Sequence, residues 1–193
     1  MAKETNAPLK MTPYKFMEKF LLHTCCAPCS IAIIDELKNR FDLTIFFYNP
    51  NIYPAEEYLK RKAEVIKVCN EWNVPMVDTD YETKKWDRAV KGLENEPEMG
   101  ARCPVCINLR LAKTADYAAQ NGFIYFGASL TMGRNKKAEV IHPLGQALAE
   151  KYGLKFYAED WKKQGRQEKA LKLVEERGTY RQNYCGCLYS RST

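Results

Sequence analysis

Short β-rich runs alternate with longer helical ones along almost the whole chain, and this alternation restricts the fold more than any other feature. The segments KFLLHT (19–24), DLTIFFYN (42–49), VPMVDTD (74–80), FIYFGAS (123–129) and LKFYAED (154–160) have the β-branched and aromatic content of strands. Between and after them, apolar residues at helical spacing predict helices near 28–39, 54–72, 81–92, 104–121, 136–152 and 166–177. Gly122, Gly153 and Gly178 each follow a helical run, where a left-handed cap is expected. The pattern predicts an α/β fold: an open, mostly parallel sheet with helices on both faces. A chain of 193 residues suffices for one such domain, which we place at 18–193. Residues 1–17, MAKETNAPLKMTPYKFM, mix charges with Pro8 and Pro13 and lack the apolar segment of a secretory signal, so a frayed leader is expected there.

No apolar run approaches the length of a bilayer span, which excludes a membrane helix. With no export signal either, a cytoplasmic location is expected. The cysteines then serve as thiols or metal ligands rather than disulfides. Their distribution is the main anomaly of the composition: eight cysteines accompany only two histidines, and seven of the eight fall in three short groups. These are Cys25, Cys26 and Cys29; Cys103 and Cys106; and Cys185 and Cys187. A site made of thiolates alone selects soft-metal chemistry, namely zinc, copper(I) or iron–sulfur.

The expected fold says where such chemistry sits. Ligands of open α/β sheets bind beyond the carboxyl ends of the strands, and LLHTCCAPCS (21–30) places Cys25 and Cys26 there. Pro28 suits the first turn of the next helix, which puts Cys29 among free N–H groups that favour thiolate. In RCPVCINLRLAKTA (102–115), Pro104 plays the same part, with Cys103 at or beside the cap and Cys106 on the same face. Ile107, Leu111, Ala115 and Ala118 then form the apolar stripe that buries this helix. In YRQNYCGCLYS (180–190), Gly186 lets the backbone turn, so that its two thiols face one metal, two metals or each other. Cys69 shares a helix face with Val65 and Trp72 and reads as a buried structural thiol. His142 also reads as structural, whereas His23 stands beside the first thiol group, as a core histidine or a proton carrier.

Four thiolates would close a structural zinc site and leave three thiols spare. A cubane cluster beside a second, open metal accounts for seven. So does a cubane with a redox dithiol and one further cysteine. A net charge of +6 is compatible with a polyanionic partner without requiring one.

The three thiol motifs, HTCCAPCS, RCPVCINLRLAKTA and YRQNYCGCLYS, are together similar to those of the QueH family of epoxyqueuosine reductases. The resemblance runs from about Phe20 to Ser190 and continues in FFYNPNIYPAEEYLKRK (46–62) and DWKKQGR (160–166). It implies a fold like the adenine-nucleotide-alpha-hydrolase-like (HUP) proteins and the two-electron reduction of epoxyqueuosine in tRNA to queuosine, the last step of that biosynthesis. It also implies a [4Fe-4S] cluster, an associated mononuclear iron, independence from cobalamin, and an outside electron donor. Carried over by motif, Cys25, Cys26, Cys103 and Cys106 are the cluster ligands. Cys185 and Cys187 are then a redox pair, or second-iron ligands with Cys29. Candidate proton donors are His23, Tyr180 and Tyr184, and candidate contacts to the anticodon loop are Arg181 and Arg191, with Tyr184 and Tyr189 as stacking rings. One segment departs from the family pattern: ASLTMGRNKKAEV (128–140) has Gly133-Arg134 where many relatives have Ser-Pro. Two rival readings are an iron–sulfur-dependent tRNA thiolase and a zinc-stabilised RNA-binding module. The first needs an SGGxDS-type phosphate loop where this chain has cysteines, and the second would be colourless.

Overall fold

The computed structural model describes residues 17–190. Most of the expected leader, and Arg191 with it, lies outside the described residues. The chain begins with β1 (Lys19–His23), α1 (Ala27–Leu37), β2 (Asp42–Phe47), α2 (Ala55–Glu71) and β3 (Met76–Asp78). It continues through α3 (Thr83–Ala89), α4 (Arg102–Gln120), β4 (Tyr125–Ala128), α5 (Ala138–Tyr152), β5 (Lys155–Phe156) and α6 (Arg166–Glu176). Single 3₁₀ turns cover Ser129–Met132 and Leu188–Ser190.

All five strands pair in parallel, in the order β3-β2-β1-β4-β5. Alternate residues of β1 serve opposite faces. Phe20 and Leu22 pack with Ile31 and Ile34 of α1, Val65 of α2 and Val174 of α6, while Leu21 packs with Ile107, Leu111 and Ala115 of α4 and Ile141 of α5. Both faces are covered, so the central strand reads as an unbroken apolar run rather than an alternating one. The stripe expected on α4 is fully buried, and Ile107 and Leu111 each contribute about 1.5–3 kcal/mol of burial energy. At the end of α5, Gly153 adopts φ +67° and caps the helix as its position predicts.

Several elements are shorter than the sequence pattern suggests: β3 keeps Met76–Asp78 of 74–80 and β4 Tyr125–Ala128 of 123–129, and β5 and α3 shrink most. Only Lys155 and Phe156 pair within the segment 154–160: β5 is an edge strand whose register with β4 ends at Phe126 and Phe156, and the last bond is from Tyr157 N–H to the Phe126 carbonyl at 2.9 Å. Beyond it Trp161 turns inward, donating its indole N–H to the Ala128 carbonyl at 3.0 Å. Helix α3 spans only seven residues of the range 81–92 and is held chiefly by the buried Trp86.

The strand order determines where a ligand can bind. From β1 the chain passes to β2 and β3 on one side, and β4 and β5 extend the sheet on the other. The carboxyl ends of β1 and β4 therefore border the switch point, the crevice where open α/β sheets bind ligands. Cys25 follows β1 there, and Ser129 follows β4.

Candidate metal centre

The first thiol group is shaped by the start of α1. Cys26 is the N-cap in extended conformation (φ −169°, ψ 159°), and the first helical turn folds Cys29 back toward its neighbours. The sulfurs of Cys25, Cys26 and Cys29 consequently all lie within 4.8 Å of one another, with Cys25 and Cys26 at 3.8 Å. Gln182, arriving from the C-terminal tail, donates its Nε2–H to Cys26 Sγ at 2.9 Å, while its buried Oε1 has no partner among the described residues. Of the three thiols Cys25 ionises first. Hydrogen bonds from Cys26 and Cys29 stabilise its thiolate against the cost of burial, and Arg110 adds to them. The same bonds push Cys26 and Cys29 upward.

The second group opens α4. Cys103 accepts the Met99 N–H at 3.1 Å, and Cys106, one turn on, is 7% exposed. Burial pushes the Cys106 thiol up, and the Arg110 guanidinium opposes the shift. The third group is pinned from beneath by α2. Arg61, 1% exposed and paired with Glu57 at 2.7 Å, donates to the carbonyls of Cys185 (3.0 Å) and Tyr184 (3.3 Å). Tyr53 N–H donates to the Gly186 carbonyl at 2.8 Å. Gly186 adopts φ +114°, which a side chain would resist. The two sulfurs of this group part company. Cys187 packs among Trp86, Val90 and Cys106, whereas Cys185 lines the main cavity.

That cavity, about 620 Å³, is also lined by Cys25 and Cys29. A smaller void beside it is lined by Cys103, Cys106, Cys185 and Cys187, so Cys185 borders both spaces. The three groups thus lie around these two adjoining spaces, with Cys26 beside Cys25 at 3.8 Å. All eight cysteines are free thiols. The cluster set carried over by motif draws two members from each side: Cys25 and Cys26 from the β1 arm, and Cys103 and Cys106 from α4. Cys69, 3% exposed, lies in the core of α2, and burial raises its thiol to about 11. It is structural, as its helical spacing implied.

Other expected site residues are placed as follows. His23 is fully buried behind the first group and donates Nε2–H to the Tyr48 carbonyl at 3.0 Å. Desolvation, aided by Arg110, lowers it to about 4, so it stays neutral at pH 7. Tyr180 donates to Glu57 Oε2 at 2.9 Å and does not line the cavity. Tyr184 does line it, and donates to the Tyr53 carbonyl at 2.7 Å. Arg181 is exposed at the cavity wall. The Tyr189 ring stacks on Trp86 (6.1 Å, 24°) and receives Arg102, so it is packed rather than splayed. His142 sits against Phe156, on the α5 side.

Four functional candidates escaped the sequence reading: Arg61, Arg110, Lys136 and Gln182. Three of them are charged residues, and these are at most 7% exposed. The cavity wall carries Arg61, Arg110, Arg134, Lys136 and Arg181 against only Glu98 and Glu168. Lys136 and Arg134 come from the segment where the chain departs from the family pattern. The all-sulfur donor set, with three sulfurs mutually within 4.8 Å, four more around the adjoining void and cations buried among them, fits an anionic iron–sulfur group.

Against known proteins, residues 20–193 match the family model for epoxyqueuosine reductase QueH. The chain belongs to this family. It is 43% identical to the epoxyqueuosine reductase QueH of Acinetobacter baylyi, over 90% of this chain and 80% of that one. The counterpart from Thermotoga maritima is 38% identical over 90% of this chain and 91% of its own length. That from Haemophilus influenzae is 39% identical over 97% and 79%. Membership makes the chain an oxidoreductase of queuosine biosynthesis, an epoxyqueuosine reductase, in agreement with its three thiol motifs. Among solved structures, the U34-tRNA thiolase NcsA of Methanococcus maripaludis with its [4Fe-4S] cluster superposes with a TM-score of 0.46 at 13% identity, over 84% of this chain and 67% of that one. No helix among the described residues is long and apolar enough to cross a membrane.

Proposed function

We propose that the protein reduces epoxyqueuosine within the anticodon loop of tRNA, in the cytoplasm and without cobalamin, using an iron–sulfur site in the switch-point crevice. The observation that carries this reading is the gathering of thiols from three distant segments around two adjoining spaces, the larger a cavity of about 620 Å³ lined by Cys25, Cys29 and Cys185, which is of nucleoside size. Reduction of the epoxide to the alkene consumes two electrons and two protons and releases water. An iron–sulfur cluster supplies electrons singly, from a donor outside the chain. Cys25, Cys26, Cys103 and Cys106 are the proposed cluster ligands. Cys26, Cys103 and Cys106 do not line the main cavity, which supports a recessed cluster. Cys29 and Cys185 face the cavity, and Cys187 lies behind them; these three are the thiols for a second iron or a dithiol.

The chain's own residues supply the remainder. A nucleotide unstacked from the loop enters a wall that is net positive, with Arg134 and Arg181 suited to its phosphates. Lys136 holds its ammonium 3.4 Å from Glu98 Oε1 within the cavity wall and presents N–H donors to an oxygen acquiring negative charge. Gln182 fixes the tail over Cys26, and the buried side chains of Leu130 and Met132 help to exclude water. His23 stays neutral beneath Cys25 and orients the end of β1 through Tyr48.

The test is direct. Anaerobically reconstituted protein, epoxyqueuosine-bearing tRNA and a reductant should yield queuosine nucleoside by mass spectrometry. Cys103→Ala should lose both product and the iron–sulfur absorbance, and Cys69→Ala should lose neither. A fully active Cys103→Ala that keeps its colour would refute the ligand assignment.

A further inference from the structure

Among the described residues, Arg110 is a buried cation with no ion-pair partner. It lies one turn beyond Cys106 on α4, is 2% exposed, and lines both the main cavity and the smaller void. Among the described residues its side chain makes one hydrogen bond, from Nε to the Cys106 carbonyl at 3.3 Å. The other buried cations near the site are compensated. Arg61 has Glu57, Lys136 has Glu98, and Arg102 donates to the carbonyls of Leu93, Glu94, Glu96 and Tyr189. Arg110 has no carboxylate among the described residues. It shares the main cavity with Cys25 and Cys185 and the void with Cys103, Cys106, Cys185 and Cys187, so thiols of all three groups surround it. A guanidinium taken out of water without a counter-ion is strongly disfavoured. Glu98, which lines both spaces with it, is paired with Lys136, and this leaves the sulfur centre as the anion that faces Arg110.

We propose that Arg110 is the fixed counter-cation of that centre, a positioning residue that raises its reduction potential. This rests on the iron–sulfur reading. Electron uptake makes an anionic cluster more negative, so a positive charge held beside it in a desolvated site favours the reduced form. The charge sits behind protein rather than in solvent, so salt screens it weakly. Neither member of a surface ion pair would act in this way.

The experiment is a potentiometric titration of reconstituted full-length protein, following the reduced cluster by electron paramagnetic resonance in wild type, Arg110→Met and Arg110→Lys. Iron and sulfide analysis of the wild type tests the iron–sulfur reading by itself, before any variant is compared. Arg110→Met should shift the midpoint to more negative potential, at low and at high salt alike. Arg110→Lys should stay closer to wild type. A midpoint in Arg110→Met equal to wild type overturns the proposal, as does a shift in Arg110→Lys as large as that in Arg110→Met. If Arg110→Met retains no iron, retention by Arg110→Lys upholds the need for charge, and loss in both overturns it.

Discussion

Replacing Gly186 with alanine should loosen the C-terminal thiol pair without unfolding the domain. Gly186 stands between Cys185 and Cys187 at φ +114°, a conformation that costs a side-chain-bearing residue about 1–3 kcal/mol. An added Cβ would also meet Ile52 Cγ1 at 2.9 Å and Arg61 Nη1 at 3.0 Å, in a pocket where both residues are 1% exposed. Arg61 cannot swing aside freely, because Glu57 and two tail carbonyls hold it. Overpacking of this kind adds about 1–3 kcal/mol, and because one relaxation relieves part of both costs we expect about 2–4 kcal/mol in total. This equals about a 30- to 700-fold rise in the equilibrium for opening of the tail. The assay is alkylation of reduced, metal-free protein, with mass spectrometry resolving each cysteine. Cys187, 6% exposed, reports the tail, and Cys69, 3% exposed in the core of α2, reports global opening. Cys187 should react faster in the variant by that factor, up to the limit set by global unfolding, with Cys69 much less affected. Equal protection of Cys187 in both proteins would refute the claim that a glycine-only turn and the Arg61 clamp secure the tail.

Acid should weaken the contact between α1 and α6. Arg166 holds the Glu36 carboxyl below its ordinary 4.5, through hydrogen bonds at 2.7 and 3.0 Å that outweigh partial burial. The folded value lies below the unfolded one, so this contribution is complete above the unfolded value and is lost as pH falls through the folded one. Urea midpoints should therefore drop more steeply with acidification below 4.5 in wild type than in Glu36→Gln, and parallel curves would refute the linkage. At the cavity wall, Arg134→Ala and Arg181→Ala should each raise KM for tRNA with little change in kcat. Each should also reduce the slope of log affinity against log salt by about 1, as loss of one phosphate contact does. An unchanged slope would remove that arginine from the tRNA interface.

The arrangement of the site was largely legible because it follows from topology. Once the β–α alternation is recognised, the position of Cys25 and Cys26 after β1 places them in the crevice, and helix-start prolines at 28 and 104 place Cys29 and Cys103 in first turns. The same logic failed for ion pairs and buried charges. Arg61, Arg110 and Lys136 lie on segments whose apolar spacing is normal, and no local pattern distinguishes a solvated arginine from one beneath a loop that arrives more than seventy residues later. The proton-donor candidates show the same limit: His23 carries a neutral ring held by the Tyr48 carbonyl, and Tyr180 lies off the cavity.

By itself, the amino-acid sequence determined the fold class, the order of the elements, the three thiol groups and, through their motifs, the family. Those properties depend on periodicity, turn residues and local spacing, each of which acts over a few residues. Only the tertiary structure decided how the thiols divide between two adjoining spaces, which cations are stripped of water beside them, and that Arg61 secures the tail carrying Cys185 and Cys187. Those outcomes depend on desolvation and on contacts between residues far apart in the chain, which exist only once the sheet has brought the ends of β1 and β4 together.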